Sequence, residues 1–414
     1  MVNKQGDASL IRQMELSAPC IFFIKTDNMA TLEQMMKINT LNQCAMECTK
    51  QSRWKDTTQR YLSDMLLKNL DLQEEILAGK YKVKPTTDFY LNERGHIRKI
   101  EAPAIRDRIV QKTLMKNVLL PSLVPCLIYD NYASLKDRGT SFARKRFDIM
   151  LHRYVRKHGL DGYILLIDIK KYFENIDHDV LKQLIAPKID NEPDDVKRLI
   201  HYVIDSSSKT NKGLNLGSEA PQIFAVYYLN PIDTFVKAVK GVKYYGRYMD
   251  DIFIIGQSKE ELSLLLNEIR QRLSDLRLEI NDKKTCITKL SHGFTFLQVK
   301  YHILQTGRIV KSMSHGKIAR ERRRLRAFRR MMDKGQMTEG EVYNCYQSWR
   351  GTQVIDHNAC YKSIKSMDAL YRKLFPPHVD PPKQGRREIA ISINRNAEPE
   401  DLVTLYNIKR KDYE

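Results

Sequence analysis

Residues Tyr244 to Gly256 read Tyr-Tyr-Gly-Arg-Tyr-Met-Asp-Asp-Ile-Phe-Ile-Ile-Gly, with the adjacent carboxylates Asp250 and Asp251 at the centre. Adjacent carboxylates repel and raise each other's pKa unless a cation sits between them. Magnesium takes hard oxygen ligands and leaves room for substrate phosphates, so it suits such a pair. Taken alone, an Asp-Asp pair is more often a solvated turn. A third carboxylate shifts that weighting. Asp168 ends the apolar run Tyr163-Ile164-Leu165-Leu166-Ile167, and a nearly unbroken apolar run is the pattern of a buried strand. A buried carboxylate at its end needs a partner or a metal. Three carboxylates so placed suit two magnesium ions about 4 Å apart, as in-line phosphoryl transfer requires.

The surrounding elements must bring these side chains to one edge. Tyr244 to Tyr248 and Ile252 to Ile255 are β-rich, which predicts a strand, a tight turn and a returning strand. Asp is poor inside a strand and good in a turn. Lys259 to Leu278 carries apolar residues at helical spacing and should pack beneath the sheet. Gly213-Leu214-Asn215-Leu216-Gly217-Ser218-Glu219-Ala220-Pro221-Gln222 reads as a glycine-punctuated loop entering an apolar helix, Ile223 to Leu229. Such a loop can cradle phosphate, though alone it is a weak sign. Tyr90 to Ile100 predicts a hairpin turning at Gly95, followed by Ala102 to Gln111, which leads into an amphipathic helix toward Leu120. Further helices are expected from about Phe142 to His158 and after Asp177-His178, where His178 reads as a turn or cap residue.

Upstream, the spacing of Leu, Met and Ile from Thr31 to Leu77 predicts helices, one of them from about Thr57. Cys20 to Ile24 reads as a short strand. Cys44 and Cys48 share a helical face without a second Cys/His pair close by, so they read as buried apolar residues rather than zinc ligands. Downstream, Lys317 to Arg330 is the densest basic segment. Its apolar residues, Ile318, Leu325 and Phe328, with Met332 beyond, leave Arg322, Arg323, Arg326 and Arg330 over the remaining helix surface. A solvated face would include more acids than Glu321, so the segment reads as a helix lying along a phosphate backbone.

Composition agrees with that partner. Seventy Lys+Arg against fifty Asp+Glu give a net charge of +20, and 414 residues allow a sizeable core with about two to three domains or subdomains. The excess favours a polyanion, most simply nucleic acid. No apolar run approaches the roughly 20 residues of a membrane span. The N-terminus lacks a signal-peptide pattern, and seven scattered cysteines suit a reducing compartment, so a cytoplasmic protein is expected.

The Tyr-Met-Asp-Asp box, with a strand and Asp168 upstream and an aromatic five residues on, resembles the catalytic core of reverse transcriptases. Other boxes follow in the family's order over roughly Lys84 to Phe375. Arg106-Asp107-Arg108-Ile109-Val110-Gln111 resembles the fingers of the bacterial enzymes. Leu278-Glu279-Ile280-Asn281-Asp282-Lys283-Lys284-Thr285 is similar to the Leu-x-Leu-Asn-x-x-Lys-Thr box. Phe294-Thr295-Phe296-Leu297-Gln298-Val299 is similar to the hairpin that holds the primer end, with Gln298 in place of glycine. Gly217 to Gln222 has the spacing of diversity-generating retroelement enzymes, with Pro221 where they carry Ser; this fits that group or a related defence-associated lineage, both akin to group II intron enzymes.

The resemblance implies an α+β right-hand polymerase. Residues 1–80 would be an N-terminal helical extension, 81–160 the fingers, 161–305 the palm with its antiparallel sheet, 306–375 a helical thumb and 376–414 a tail. It assigns two magnesium ions to Asp168, Ile169, Asp250 and Asp251. Arg98 would meet the nucleotide's triphosphate, Phe173 would exclude a ribose 2′-hydroxyl, and Gln222, Tyr248 and Met249 would line the nucleotide site. Lys284 would neutralise or protonate the departing pyrophosphate. Arg106 and Arg108 would position template or fingers, and Arg144, Lys145 and Arg146 would make weak phosphate contacts. The implied partners are an RNA template, a DNA or RNA primer and deoxynucleoside triphosphates. There is room for a dedicated noncoding RNA, an accessory protein or a second copy of the chain, and no membrane is implied. The implied activity is RNA-directed DNA synthesis in a bacterial or phage retroelement or an antiphage defence system. The rival is a maturase-like RNA-binding protein without essential polymerase activity, and a mere binder has no need of three ordered carboxylates.

Overall fold

Nine strands occur among the described residues: β1 (Thr87–Glu93), β2 (His96–Ala102), β3 (Tyr163–Ile167), β4 (Tyr245–Tyr248), β5 (Asp251–Gly256), β6 (Cys286–Lys289), β7 (Phe294–Phe296), β8 (Val299–Ile303) and β9 (Ile309–Met313). The computed structural model describes residues 31–93, 96–215, 217, 219–313, 315–354 and 361–376. The strand expected at Cys20 to Ile24, the turn residue Gly95 and the tail beyond Pro376 lie outside the described residues.

The central sheet has the order β4-β5-β3-β6, and every neighbouring pair is antiparallel. Both of its faces are covered, which is why β3 and β5 read as unbroken apolar runs rather than alternating ones. Leu165, Ile167, Ile252 and Ile254 enter the larger core. The helices Ile105–Leu114, His178–Ile189, Glu219–Tyr228 and Lys259–Asp275 supply buried residues to that core. Ile164, Phe253 and Ile255 enter a second cluster with helix Thr140–His158 and the β7-β8-β9 sheet. Phe147 fills that cluster, meeting Phe253 edge-on at 4.7 Å and Tyr301 at 4.9 Å.

The N-terminal helices begin with a capping box. The backbone N–H of Gln34 donates to Thr31 Oγ1 at 3.2 Å, and Thr31 N–H donates back to Gln34 Oε1 at 3.0 Å. Helices Ile38–Thr49, Asp56–Ser63 and Met65–Leu77 follow. Leu41, Cys44, Leu72 and Ile76 share one core with Ile109 and Val110, so this segment is built into the first unit. Burial pushes the Cys44 thiol up and the Cys48 thiol up to about 11, consistent with apolar packing. One boundary differs from expectation. The apolar helix begins at Glu219, not Ile223, and takes Gln222 into its first turn. An acid suits a helix start, and first-turn N–H groups have no partner, so Pro221 is tolerated there.

The chain divides after Ser314 into two units. The second holds helices His315–Asp333, Glu339–Val354 and Tyr361–Leu374 around Leu325, Val342, Tyr346, Met367, Tyr371 and Phe375. Tyr346 and Tyr371 stack at 4.3 Å. Glu321 does not interrupt the basic face but turns inward, buried, and pairs with Arg324 at 3.0 Å. Among the described residues no helix is long and apolar enough to cross a membrane.

Candidate active site

Strand register brings two of the carboxylates together. β3 pairs with β5 so that Ile167 faces Ile252. One step further along, Asp168 follows Ile167 while Asp251 precedes Ile252, so both stand at the same end of the sheet. Side chains alternate along a strand. Ile167 and Ile252 enter the larger core, so Asp168 and Asp251 belong to the opposite face. Met249 and Asp250 form the two-residue turn between β4 and β5.

That turn is anchored from below. Met249 takes φ +52°, a left-handed conformation that costs an ordinary residue about 1–2 kcal/mol. Arg247 Nη1 donates to the Met249 carbonyl at 3.1 Å. The rest of that guanidinium is committed as well. Nε donates to Asp233 Oδ1 at 2.8 Å, and Nη2 donates to Asp233 Oδ2 at 2.6 Å and to the Val226 carbonyl at 2.8 Å. Both partners are 0% exposed, and the Tyr245 hydroxyl also donates to Asp233. A buried pair with its remaining donors satisfied fixes geometry strongly. The β4 edge is stitched to the segment before helix Thr140–His158. Arg247 N–H donates to the Asp130 carbonyl at 3.0 Å, and Tyr132 N–H donates to the Arg247 carbonyl at 2.9 Å. Gly246 is required in that seam, because a Cβ would stand 2.4 Å from the Tyr132 hydroxyl and 2.7 Å from the Phe253 ring.

Asp168 is held from the other side. Asn281 Nδ2 donates to its Oδ2 at 2.8 Å, Lys284 Nζ to its Oδ1 at 2.9 Å, and its own N–H to Thr285 Oγ1 at 3.2 Å. The Asn281 N–H also donates to the Asp168 carbonyl at 2.8 Å. The Asp168 hydrogen bond holds the Lys284 ammonium above its ordinary range. Burial pushes Asp251 up to about 7, with Asp250 and Asp168 adding to the shift and Lys284 opposing it. Asp251 therefore stands within electrostatic reach of Asp250, Asp168 and Lys284.

The other expected residues spread around this edge. Ile169 is 1% exposed and bridges to Ile280, so its backbone carbonyl is what it could offer an ion. Phe173 packs on the core and meets Tyr172 edge-on at 5.6 Å. Gln222 is exposed and accepts at Oε1 from the Ser134 hydroxyl at 3.0 Å. Tyr248 is half-buried. Arg98 lies on β2 opposite Leu91, and its side chain is outside the described residues. Arg106 is turned inward. Its Nη1 donates to Glu75 at 3.0 Å and its guanidinium lies 5.5 Å from the Tyr81 ring. Arg108 is half-buried. Arg144 donates to the Leu297 carbonyl at 2.8 Å, and Arg146 to Asp130 at 2.9 Å. In the second unit Arg322, Arg323, Arg326 and Arg330 are exposed. Sequence reasoning passed over Arg247, Asp233, Asn281 and Thr285. An arginine inside a β-rich apolar run was the available signal, since a buried charge demands a partner.

Among the described residues no three His, Cys, Asp or Glu side chains converge tightly enough to hold an ion unaided. The donor set still fits magnesium, which binds through one or two carboxylates and completes its shell with water and substrate phosphates. The buried Asp251 carboxyl, pushed further up by its neighbours Asp250 and Asp168, is a group whose charged form a cation would favour.

Comparison with known proteins bears on the family. Residues 84–301 match the family described as reverse transcriptase (RNA-dependent DNA polymerase). Protein YkfC of Escherichia coli (strain K12) is 23% identical over 271 residues, which is 55% of this chain and 69% of that protein. The structure of apo telomerase from Candida tropicalis, truncated from its C-terminal domain, is similar with a TM-score of 0.42 at 14% identity. The match covers 58% of this chain and 59% of the telomerase chain. Because the matched family segment takes in β3, the Asp-Asp turn and more than half of the 414 residues, this chain belongs to the reverse transcriptase family of RNA-dependent DNA polymerases.

Proposed function

We propose that this protein extends a DNA or RNA primer on an RNA template by magnesium-dependent nucleotidyl transfer at Asp168, Asp250 and Asp251. The observation that carries the reading is the β3–β5 register, which sets Asp168 beside Asp251 at the end that bears the Asp250 turn. Two magnesium ions held by these carboxylates, and by the Ile169 carbonyl, would supply a lowered hydroxyl pKa and charge neutralisation at the triphosphate. The chain's own groups do the positioning. Arg247 keeps the turn in place, and Asn281 and Thr285 orient Asp168. In the transfer the primer 3′-oxygen bonds to the α-phosphorus and its proton leaves to solvent. The bond from the α-phosphorus to the bridging oxygen breaks, and pyrophosphate departs. Lys284, near the carboxylates and mostly exposed, is suited to meet that charge.

The resemblance supports further roles for other residues. Phe173, packed on the core, is rigid enough to exclude a 2′-hydroxyl, which favours deoxynucleotides. Gln222, Tyr248 and Met249 border the nucleotide, and Arg98 on β2 is suited to its triphosphate. Arg106 steadies the fingers through Glu75, with Arg108 beside it. The exposed arginines of helix His315–Asp333 suit a template–primer backbone. We assign fingers to residues 81–160, palm to 161–305 and thumb to 306–375. The biological setting we assign is a bacterial or phage retroelement or an antiphage defence system, acting in the cytoplasm with a dedicated noncoding RNA or accessory protein. The Gly217–Gln222 spacing supports the setting, and seven cysteines scattered along the chain suit a reducing compartment.

The test is deoxynucleotide incorporation by purified protein on primed RNA with magnesium, beside Asp250→Asn. Incorporation by the parent and loss in the variant is the expected result. Equal incorporation by both would refute the carboxylate assignment. RNA binding without incorporation by the parent would favour the maturase-like reading.

A further inference from the structure

Helix Thr140–His158 has a second face that the carboxylate site does not use. Ala143, Phe147, Met150, Leu151 and Tyr154 enter the core. Ser141, Lys145, Asp148, His152 and Arg156, spaced three or four apart, lie on the other side along an open groove of about 1180 Å³. Val299, Tyr301 and Lys311 form the opposing wall. Arg144, Lys145, Arg153 and Arg156 all line it, and the one carboxylate in the lining, Asp148, is taken by Lys311. Lys145, Arg153 and Arg156 are exposed and make no ion pair among the described residues. From Arg144 to Arg156 these charges are strung along about 18 Å of helix rather than gathered at one point. That distribution suits a chain of phosphates better than a single one.

An aromatic stands at the Phe142 end. Tyr129 is 60% exposed and meets Phe142 edge-on at 6.2 Å. The guanidinium of Arg138 lies 5.3 Å from its ring and that of Arg146 4.8 Å. An exposed ring bracketed by arginines is a platform on which an unpaired base stacks, and such platforms beside basic grooves bind single strands. We infer that this groove is a second nucleic-acid site, which holds a single-stranded RNA segment with its backbone on Arg153 and Arg156 and a base on Tyr129. The site goes beyond the polymerase reading and stands whether or not the carboxylates polymerise.

The experiment follows the full-length protein by fluorescence anisotropy with a long unstructured RNA over a range of salt. In Arg153→Ala/Arg156→Ala the slope of log affinity against log salt should fall by about 1.4, at about 0.7 per phosphate on a single strand. Arg153→Lys/Arg156→Lys should keep the parental slope. Tyr129→Ala should weaken binding about tenfold without changing the slope, the loss of one stacked base. Incorporation on a short primed hybrid should match the parent in all three variants. Parental slope and affinity in the alanine pair would overturn the inference. So would equal losses on single-stranded and fully duplex RNA, or retained RNA binding with loss of a copurifying acidic protein. A parent that binds the RNA with the expected slope but incorporates nothing would refute the polymerase reading and leave this site standing.

Discussion

Arg247 and the arginines of helix His315–Asp333 carry one side chain into opposite surroundings. Arg247 is 0% exposed, and Asp233 and two backbone carbonyls fill its donors. Arg323, Arg326 and Arg330 are exposed and make no ion pair among the described residues. The buried guanidinium has spent its charge on holding a turn. The exposed ones leave theirs facing solvent. What an arginine does here is set by the group opposite it, and a count of basic residues does not separate the two uses. Arg324 marks the boundary, since it sits among the exposed arginines yet pairs with the buried Glu321.

Several substitutions would break or sharpen that contrast. The largest effect is expected at the turn itself. On the proposed metal-holding role, Asp250→Asn or Asp251→Asn should lower incorporation about a thousandfold, the equivalent of several kcal/mol of lost charge stabilisation. The far-ultraviolet circular dichroism should stay unchanged. Next comes the anchor. Arg247→Met should cost about 3–5 kcal/mol in urea denaturation, since Asp233 would be left buried and uncompensated. Arg247→Met/Asp233→Leu should recover much of that stability but not the incorporation rate, because the Met249 carbonyl loses its donor. Full recovery of rate in the double variant would show that the pair serves stability alone.

A smaller loss is expected in the seam beside the anchor. Gly246→Ala should cost about 1–3 kcal/mol by forcing Tyr132 and Phe253 apart. An unchanged denaturation midpoint would mean the seam yields freely. The exposed set should show the smallest effect on stability. Arg323→Ala/Arg326→Ala should leave the denaturation midpoint unmoved. On a primed duplex the same pair should lower the salt slope of binding by about 0.9 per lost phosphate contact. A stability loss there comparable with that of Arg247→Met would erase the distinction between the two sets.

The carboxylates and the elements that carry them were legible in the chain because their signals are local. An apolar run ending in Asp168 and a β-rich pair around Met249-Asp250 predict strands and a turn without knowledge of any distant residue. Helix spacing likewise placed Thr140–His158 and Lys259–Asp275 to within a few residues. Helix Glu219–Tyr228 starts before the apolar run because Glu219 to Gln222, which read as the end of a glycine-punctuated loop, form its first turn. Other features could not be read from local pattern. Asp233 lies fourteen residues before Arg247, Asn281 lies 113 after Asp168, and Glu75 lies 31 before Arg106. Which charge neutralises which is a matter of three-dimensional proximity and desolvation, and neither leaves a periodic trace. The sequence by itself determined which residues could bind metal and which strands would present them. The tertiary structure alone decided which arginines were used up inside and which stayed free to meet a phosphate.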